Sequence, residues 1–221
     1  MSVISHHEPP ARALRRKLAA QGLIVAPGAA DALTARLIVE AGFSAVYASG
    51  AAIANTLLGA PDIGLVSFSE SLEAVRRIAE SVPVPVIADA DTGYGNAVNV
   101  LRTARAFEAA GAAAIQLEDQ VSPKRCGHFD GKDVIDPGEM AHKIRAAVDA
   151  RRDPDFVIIA RTDSLATHGF DEAVMRGRRY AEAGADVIFV DAPTTREQVA
   201  ALPAAVGAPM LFNMVEGAKT P

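Results

Sequence analysis

Three groups of residues in this chain are of types, and at spacings, that can do chemistry. The stretch Asp89-Ala-Asp-Thr-Gly-Tyr-Gly95 carries two carboxylates at i and i+2, a separation that puts both on one face of a strand. Glu118-Asp119-Gln120 supplies further carboxylates some thirty residues on. The run Ser122-Pro-Lys-Arg-Cys-Gly-His-Phe-Asp-Gly-Lys132 places the only thiol of the chain, Cys126, among cations. Hard carboxylate oxygens gathered without histidine or a second cysteine suit Mg²⁺ or Mn²⁺ rather than zinc. Mg²⁺ keeps several waters, so one of Asp89, Asp91 and Glu118 suffices as a direct ligand while the others hold its waters. Left uncompensated, the three would repel and raise one another's pKa, which a cation resolves. Lys124, Arg125 and His128 are placed to lower the pKa of the Cys126 thiol. A cysteine flanked by Arg and Gly in a polar loop is a poor core residue, and such a loop over a site can act as a lid. Gly93 and Gly95 let backbone approach a ligand closely.

These residues need elements to position them. Three segments repeat one pattern of Ala-rich helix end, glycine and strand: Val39 to Tyr47, Glu108 to Gln116, and Ala181 to Phe189. Their glycines, Gly42, Gly111 and Gly184, sit where a helix takes its left-handed C-terminal residue. Between them lie strands preceded by proline, so a βα unit recurs about every 35 residues, the period of a parallel βα array. Seven short apolar runs are predicted as strands: Leu23–Ala26, Ala45–Ser49, Pro85–Asp89, Ala114–Glu118, Phe156–Arg161, Val187–Asp191 and Met210–Asn213. Helices are predicted over Asp31–Ala41, Ser69–Ser81 (capped by Ser69), Val98–Ala110, Gly138–Ala150, Asp171–Ala183 and Arg196–Ala205. An open doubly wound sheet and a (β/α)₈ TIM-type barrel compete. Regular alternation without a Gly-x-Gly-x-x-Gly turn after the first strand favours the barrel. One α/β domain over 1–221 is expected, with the eighth strand and C-terminal helices absent from this chain. Binding sites of parallel α/β folds lie beyond the C-terminal strand ends. The polar residues collect there: Tyr47 and Ser49, Asp89 and Asp91, Glu118, Arg161 with Asp163, Asp191, and Asn213.

Composition bounds the reading. The 221 residues include 22 Lys+Arg and 27 Asp+Glu, half the chain is hydrophobic and 22% is charged, which excludes a disordered polymer. The net charge of −5, with no basic run beyond Arg15-Arg16-Lys17, argues against nucleic acid. That run and Arg151-Arg152 read as solvated faces. No apolar run approaches the ~20 residues of a membrane span, and Met1 to Pro10 lacks the apolar core of a signal peptide. A lone cysteine and no leader read as a cytoplasmic protein.

Taken in order, Asp89-Ala-Asp-Thr-Gly-Tyr-Gly95, Glu118-Asp119-Gln120 and Lys124-Arg-Cys-Gly-His128 resemble the isocitrate lyase/phosphoenolpyruvate mutase superfamily, over about Leu23 to Pro221. The Lys-Arg-Cys-Gly-His loop is similar to the lyase branch, which acts on 2-methylisocitrate or 2,3-dimethylmalate. The resemblance implies a Mg²⁺-dependent barrel and a homo-oligomer, dimer or tetramer, acting on a small carboxylate. It implies Asp62 (in Pro61-Asp-Ile-Gly64) near the metal with Asp89, Asp91 and Glu118. It implies substrate contacts from Ser49, Gly50, Gly127, Arg161, Asp191, Asn213 and Thr220. Cys126 is the implied general acid, Tyr47 the implied base with Glu118 as rival, and Arg161, His128 and Lys124 the available cations. Asp191 stands where methylisocitrate lyases carry Glu, and Ala51 and Ala52 where they carry Gly, which leans toward the dimethylmalate branch. Oxaloacetate decarboxylation or hydrolysis, phosphonopyruvate mutation or hydrolysis, and a non-catalytic barrel that binds 2-oxo acids are the alternatives.

Overall fold

The computed structural model describes residues 8–20, 22–125, 133–217 and 220–221. Its frame is a seven-stranded sheet with every neighbouring pair parallel and the strands in chain order. The strands are β1 (Gly28–Ala29), β2 (Val46–Ala48), β3 (Val86–Asp89), β4 (Ala114–Glu118), β5 (Val157–Thr162), β6 (Val187–Val190) and β7 (Met210–Leu211). Among the described residues the helices are α1 (Pro10–Ala19), α2 (Ala32–Glu40), α3 (Gly50–Leu58), α4 (Phe68–Ser81), α5 (Ala97–Ala109), α6 (Pro137–Ala150), α7 (Ser164–His168), α8 (Phe170–Glu182) and α9 (Arg196–Val206). This is the curled βα sheet of a TIM-type barrel, as the sequence pattern implies, with seven strands in place.

Side chains alternate across each strand, and the two faces enter different cores. Val46, Ala48, Val86, Ala88, Ile115, Leu117, Ile158, Ala160, Ile188 and Val190 pack outward in one cluster with helix residues such as Val75, Ile78, Phe107, Ile144 and Tyr180. Ile87, Ala114, Val157, Ile159, Val187 and Phe189 point inward and form a second cluster. Burial on both faces is why the strands read as continuous apolar runs rather than alternating ones.

The helix caps follow local chemistry. Ser67 and Glu70 form a reciprocal capping box at the start of α4, so the cap is Ser67 and not the expected Ser69. Asp31 caps α2 through the Thr34 amide, and Thr195 caps α9 through that of Gln198.

Four expectations change. The first strand is not Leu23–Ala26 but Gly28–Ala29, and Leu23 is exposed. The β2 amides fix this, because Tyr47 N donates to Pro27 O and Ser49 N to Ala29 O, so pairing begins only after the apolar run. Helices α1, α3 and α7 were not anticipated. Arg15 is not a solvated residue: it bonds Asp186 at 2.7 Å and the carbonyl of Asp155 at 3.1 Å. Arg151 reaches the same Asp186 at 3.0 Å, so one carboxylate ties α1, the end of α6 and the lead-in to β6 together.

That tie holds α1 against the N-terminal end of the sheet. Its Leu14 is 1% exposed and belongs to the inner cluster with Ile87, Val157 and Phe189. The helix closes the floor of the interior, leaving the carboxyl ends of the strands as its open rim. Leu14→Ala is expected to cost about 2–5 kcal/mol in a urea melt, the range for a buried leucine truncated where neighbours cannot collapse. An unchanged midpoint would show that α1 is not part of the core.

Candidate active site

The inward face changes character along the strands. Its lower positions are apolar, and its upper ones are polar at two-residue steps: Ile87 to Asp89, Ala114 to Gln116 to Glu118, Ile159 to Arg161, and Phe189 to Asp191. Pairing aligns them, with Asp89 opposite Gln116 and Glu118 opposite Arg161. Parallel registry therefore converts a sequence alternation into a ring of ionisable groups at one rim.

Asp89 is 9% exposed and accepts from the Asp91 amide at 3.1 Å and from Gln116 Nε2 at 3.4 Å. A Cβ added to Gly50 would stand 2.8 Å from Asp89 Oδ2, so only glycine lets α3 begin beside this carboxylate. Asp91 adopts a left-handed conformation, φ 47°, uncommon for a residue with a Cβ and of the kind that gathers at functional sites. The turn is held from several directions. Glu118 N donates to Asp91 O at 2.9 Å, and the buried Lys143 Nζ donates to Thr92 O at 3.1 Å. Lys124, 5% exposed, sets its ammonium 2.5 Å from Asp62 Oδ1 and 2.8 Å from Asp91 Oδ1. The lysine thus bridges the two aspartates, and its ammonium is the group that Asp91 Oδ1 faces. Asp62 is thus brought to the site, with the lysine as its direct neighbour.

Arg161 is the other buried cation. It grips Asp163 through both carboxylate oxygens, at 2.9 and 2.8 Å, and lies 3.1 Å from Asp191 and 3.4 Å from Glu118. Its guanidinium stands over the Phe189 ring, 5.0 Å from the centroid. The expected substrate arginine is therefore already engaged by three protein carboxylates. Asp163 sits at the start of α7 but makes no side-chain cap bond there; its carboxylate serves Arg161.

The outward-pointing Asp119 has a different task. It accepts from Thr162 Oγ1, the Asp163 amide, Arg176 Nη1 and Tyr180 OH at 2.7 to 3.1 Å. Arg176 also donates to Ile135 O at 2.8 Å, tying α8 to the chain that follows the cysteine loop. Gln120 accepts from Arg125 N and donates to Arg125 O, both at 2.9 Å, and forms an antiparallel bridge with Val134. Both stems of the loop are pinned to the end of β4. Cys126, Gly127 and His128 lie outside the described residues. Ser49 caps α3, accepting from Ala52 N at 3.3 Å. Asn213 is exposed just beyond β7, and Thr220 is half-buried with no side-chain hydrogen bond to another described residue.

The sequence motifs missed one inward residue. Gln116 is fully buried and accepts from the Tyr47 hydroxyl at 2.6 Å. Its signal was available, as an uncharged polar residue at an inward position of an otherwise apolar strand.

The phosphoenolpyruvate phosphomutase family model matches residues 14–221. The chain belongs to the PEP mutase/isocitrate lyase superfamily. It is 50% identical over 208 residues to a 2,3-dimethylmalate lyase of Eubacterium barkeri, an alignment that spans 94% of this chain and 72% of the relative. It is 50% identical over 214 residues to a 2-methylisocitrate lyase of Aeropyrum pernix, spanning 97% of this chain and 68% of the relative. A crystal structure of 2,3-dimethylmalate lyase superposes with a TM-score of 0.93 at 44% identity, over 97% of this chain and 73% of that one.

In this superfamily member five carboxylates (Asp62, Asp91, Glu118, Asp163 and Asp191) pair with two buried cations, Lys124 and Arg161, and a sixth, Asp89, is held beside them by Gln116. The imbalance perturbs several groups. Burial pushes the Glu118 carboxyl well up, against the pull of Arg161. Burial, reinforced by Asp89, pushes Asp91 up to about 6. Burial opposes charge on Lys124, but Asp89, Asp91, Glu118 and Asp62 outweigh it and hold the ammonium protonated. Burial and the Asp89 charge raise the Tyr47 phenol well above its ordinary range and keep its proton on.

A divalent cation fits this donor set. Glu118 Oε1 is buried without a hydrogen-bond partner, and the oxygens are hard. No three His, Cys, Asp or Glu among the described residues close to a common coordination distance. That suits Mg²⁺, which keeps its waters, better than a cation that needs a full protein cage.

Asp91 gives a pH test. Its carboxyl moves from 3.8 to about 6 on folding. Between those values the folded chain holds a proton that the unfolded chain has released. The group's contribution to stability therefore falls as pH rises from about 4 to about 6, and it is a net cost above that. In metal-free protein, Asp91→Asn is expected to raise Tm at about pH 7.5 and to change it little at about pH 4. Equal shifts at both pH values in calorimetry would contradict the raised carboxyl.

Proposed function

We propose that the rim is the active site of a carbon–carbon lyase. Its substrate is a 2-hydroxy di- or tricarboxylate of the 2,3-dimethylmalate or 2-methylisocitrate type, cleaved to a 2-oxo acid and a carboxylate. The observation that carries this reading is the meeting of Asp89, Asp91 and Glu118 with Lys124 and Arg161 at one strand rim, in a chain half identical to lyases of both kinds. Asp89, Asp91 and Glu118 would hold Mg²⁺ directly or through its waters, and Mn²⁺ suits the same oxygens. When bound, the cation supplies positive charge that acidifies a 2-hydroxyl and favours the developing carbonyl oxygen.

The chain's own residues do the rest. Tyr47 is the family-implied group to take the hydroxyl proton, with Glu118, whose Oε1 is buried without a hydrogen-bond partner, as its rival. Tyr47, the family-implied base, has its proton directed at Gln116. Breaking the carbon–carbon bond leaves its electron pair on the carboxylate product as an enolate. Lys124 and His128 are the cations assigned to that charge; Arg161 fixes Glu118 and Asp191 and orders the wall beside them. Cys126 delivers the proton to the enolate carbon as general acid. Ser49, Gly50, Gly127, Asp191, Asn213 and Thr220 are assigned to the substrate's remaining oxygens. Self-association as a dimer or tetramer goes with this reading, supported by the exposed Leu33, Leu37 and Leu57 on α2 and α3.

Cys126→Ser is expected to lower kcat for 2,3-dimethylmalate or 2-methylisocitrate about 10²–10⁴-fold, the usual worth of a positioned general acid. Near-wild-type turnover would remove the thiol from the mechanism. Chelation with EDTA is expected to abolish cleavage, and added Mg²⁺ to restore it. Full activity after exhaustive chelation would end the metal assignment. Product analysis by mass decides the class, because turnover of oxaloacetate alone would move the protein to the hydrolase alternative.

A further inference from the structure

Gln116 is the one uncharged polar side chain in the ring of inward residues contributed by β3 to β6, and it is completely buried. A side-chain amide with no access to water costs free energy unless both ends are paired. Here both are. Nε2 lies 3.4 Å from Asp89 Oδ1, and Oε1 lies 2.6 Å from the Tyr47 hydroxyl. The direction of the chain of bonds is fixed by chemistry. The NH₂ end donates to Asp89 Oδ1, so the carbonyl end faces Tyr47. A carbonyl oxygen cannot donate, so the phenol proton must point at Gln116. The lone pairs of the Tyr47 oxygen are then left for whatever stands beside it.

We infer that Gln116 is a positioning residue of this site, orienting Tyr47 as a neutral hydrogen-bond acceptor while steadying Asp89. The inference rests on the lyase reading for its consequence. An acceptor at that point matches the hydrogen of a substrate 2-hydroxyl. A passive core role for the amide would require only that its own polar atoms be satisfied. The positioning role requires in addition that Tyr47 and Gln116 act as one unit. The register explains the economy: Asp89 lies opposite Gln116 across β3 and β4, while Tyr47 lies opposite Ile87 one step below Asp89, so one amide spans two neighbouring strands.

The chain has three tyrosines, Tyr47, Tyr94 and Tyr180, which makes the bond directly observable. In full-length protein labelled with [¹³Cζ]tyrosine, each signal is assigned by its Tyr→Phe variant. Gln116→Met is expected to displace the Tyr47 resonance and leave those of Tyr94 and Tyr180 in place. It is also expected to lower kcat for 2,3-dimethylmalate by about tenfold or more, the scale of a misplaced contact. Tyr47→Phe should then cost much less in the Gln116→Met background than in the wild type, the mark of coupled residues. Gln116→Asn, which draws the amide back by one methylene, should displace the same resonance and serves if the methionine variant does not fold. An unmoved Tyr47 signal, or multiplicative rate effects of the two substitutions, would overturn the proposal. A displaced signal in a protein that cleaves neither lyase substrate would refute the lyase reading alone, because the spectrum needs no turnover.

Discussion

The constraint on which the site depends is electrostatic. Six carboxylates are drawn to one end of a parallel sheet, five of them paired with two buried cations. Such an arrangement is expensive in a protein interior unless charge is added or protons are retained. The molecule does part of the work itself, by surrounding Arg161 with three carboxylates and placing Lys124 between two. What remains, on Asp91 and Glu118, is expressed as raised pKa values and, on Glu118, an unpartnered oxygen. The same features that cost stability make the rim receptive to a divalent cation and an oxygen-rich ligand.

The fold tolerates this because each strand is divided along its length as well as across its faces. The outward side chains join the helices in a large apolar cluster, and the lower inward ones join Leu14 beneath them. Only the upper inward positions are polar. Behind them, the Asp119 network couples Arg176 and Tyr180 of α8 to Thr162 and the Asp163 backbone, and so holds Arg161's main partner in place. Rigid support of this kind lets strained backbone such as Asp91 persist at the rim. The cysteine loop departs from the same rim, with stems fixed by Gln120 and Ile135.

The site was legible in part from local pattern. The i, i+2 spacing of Asp89 and Asp91, and the continuous apolar strands ending in charge, follow from strand geometry alone. The helix boundaries of α2, α5, α6, α8 and α9 came within one residue at each end because amphipathic periodicity and caps are local signals. The α4 cap was displaced by two residues because two serines both satisfy the composition and only the reciprocal bond with Glu70 distinguishes them. The α1 helix was missed because its burial comes from the underside of the sheet, which no neighbouring residue announces.

The sequence by itself determined a parallel βα array, an acidic rim at the strand ends, and the superfamily signature in three short motifs. Tertiary structure alone decided which of those charges face one another. Asp62 meets Lys124, Arg161 is claimed by Asp163, Asp191 and Glu118, and the Tyr47 hydroxyl donates a hydrogen bond to Gln116, across a separation of 69 residues in the last case. The physical reason is that spacing along a strand fixes the direction of a side chain. Which groups share a low-dielectric space, and hence which protons they keep, depends on the register of strands distant in the chain.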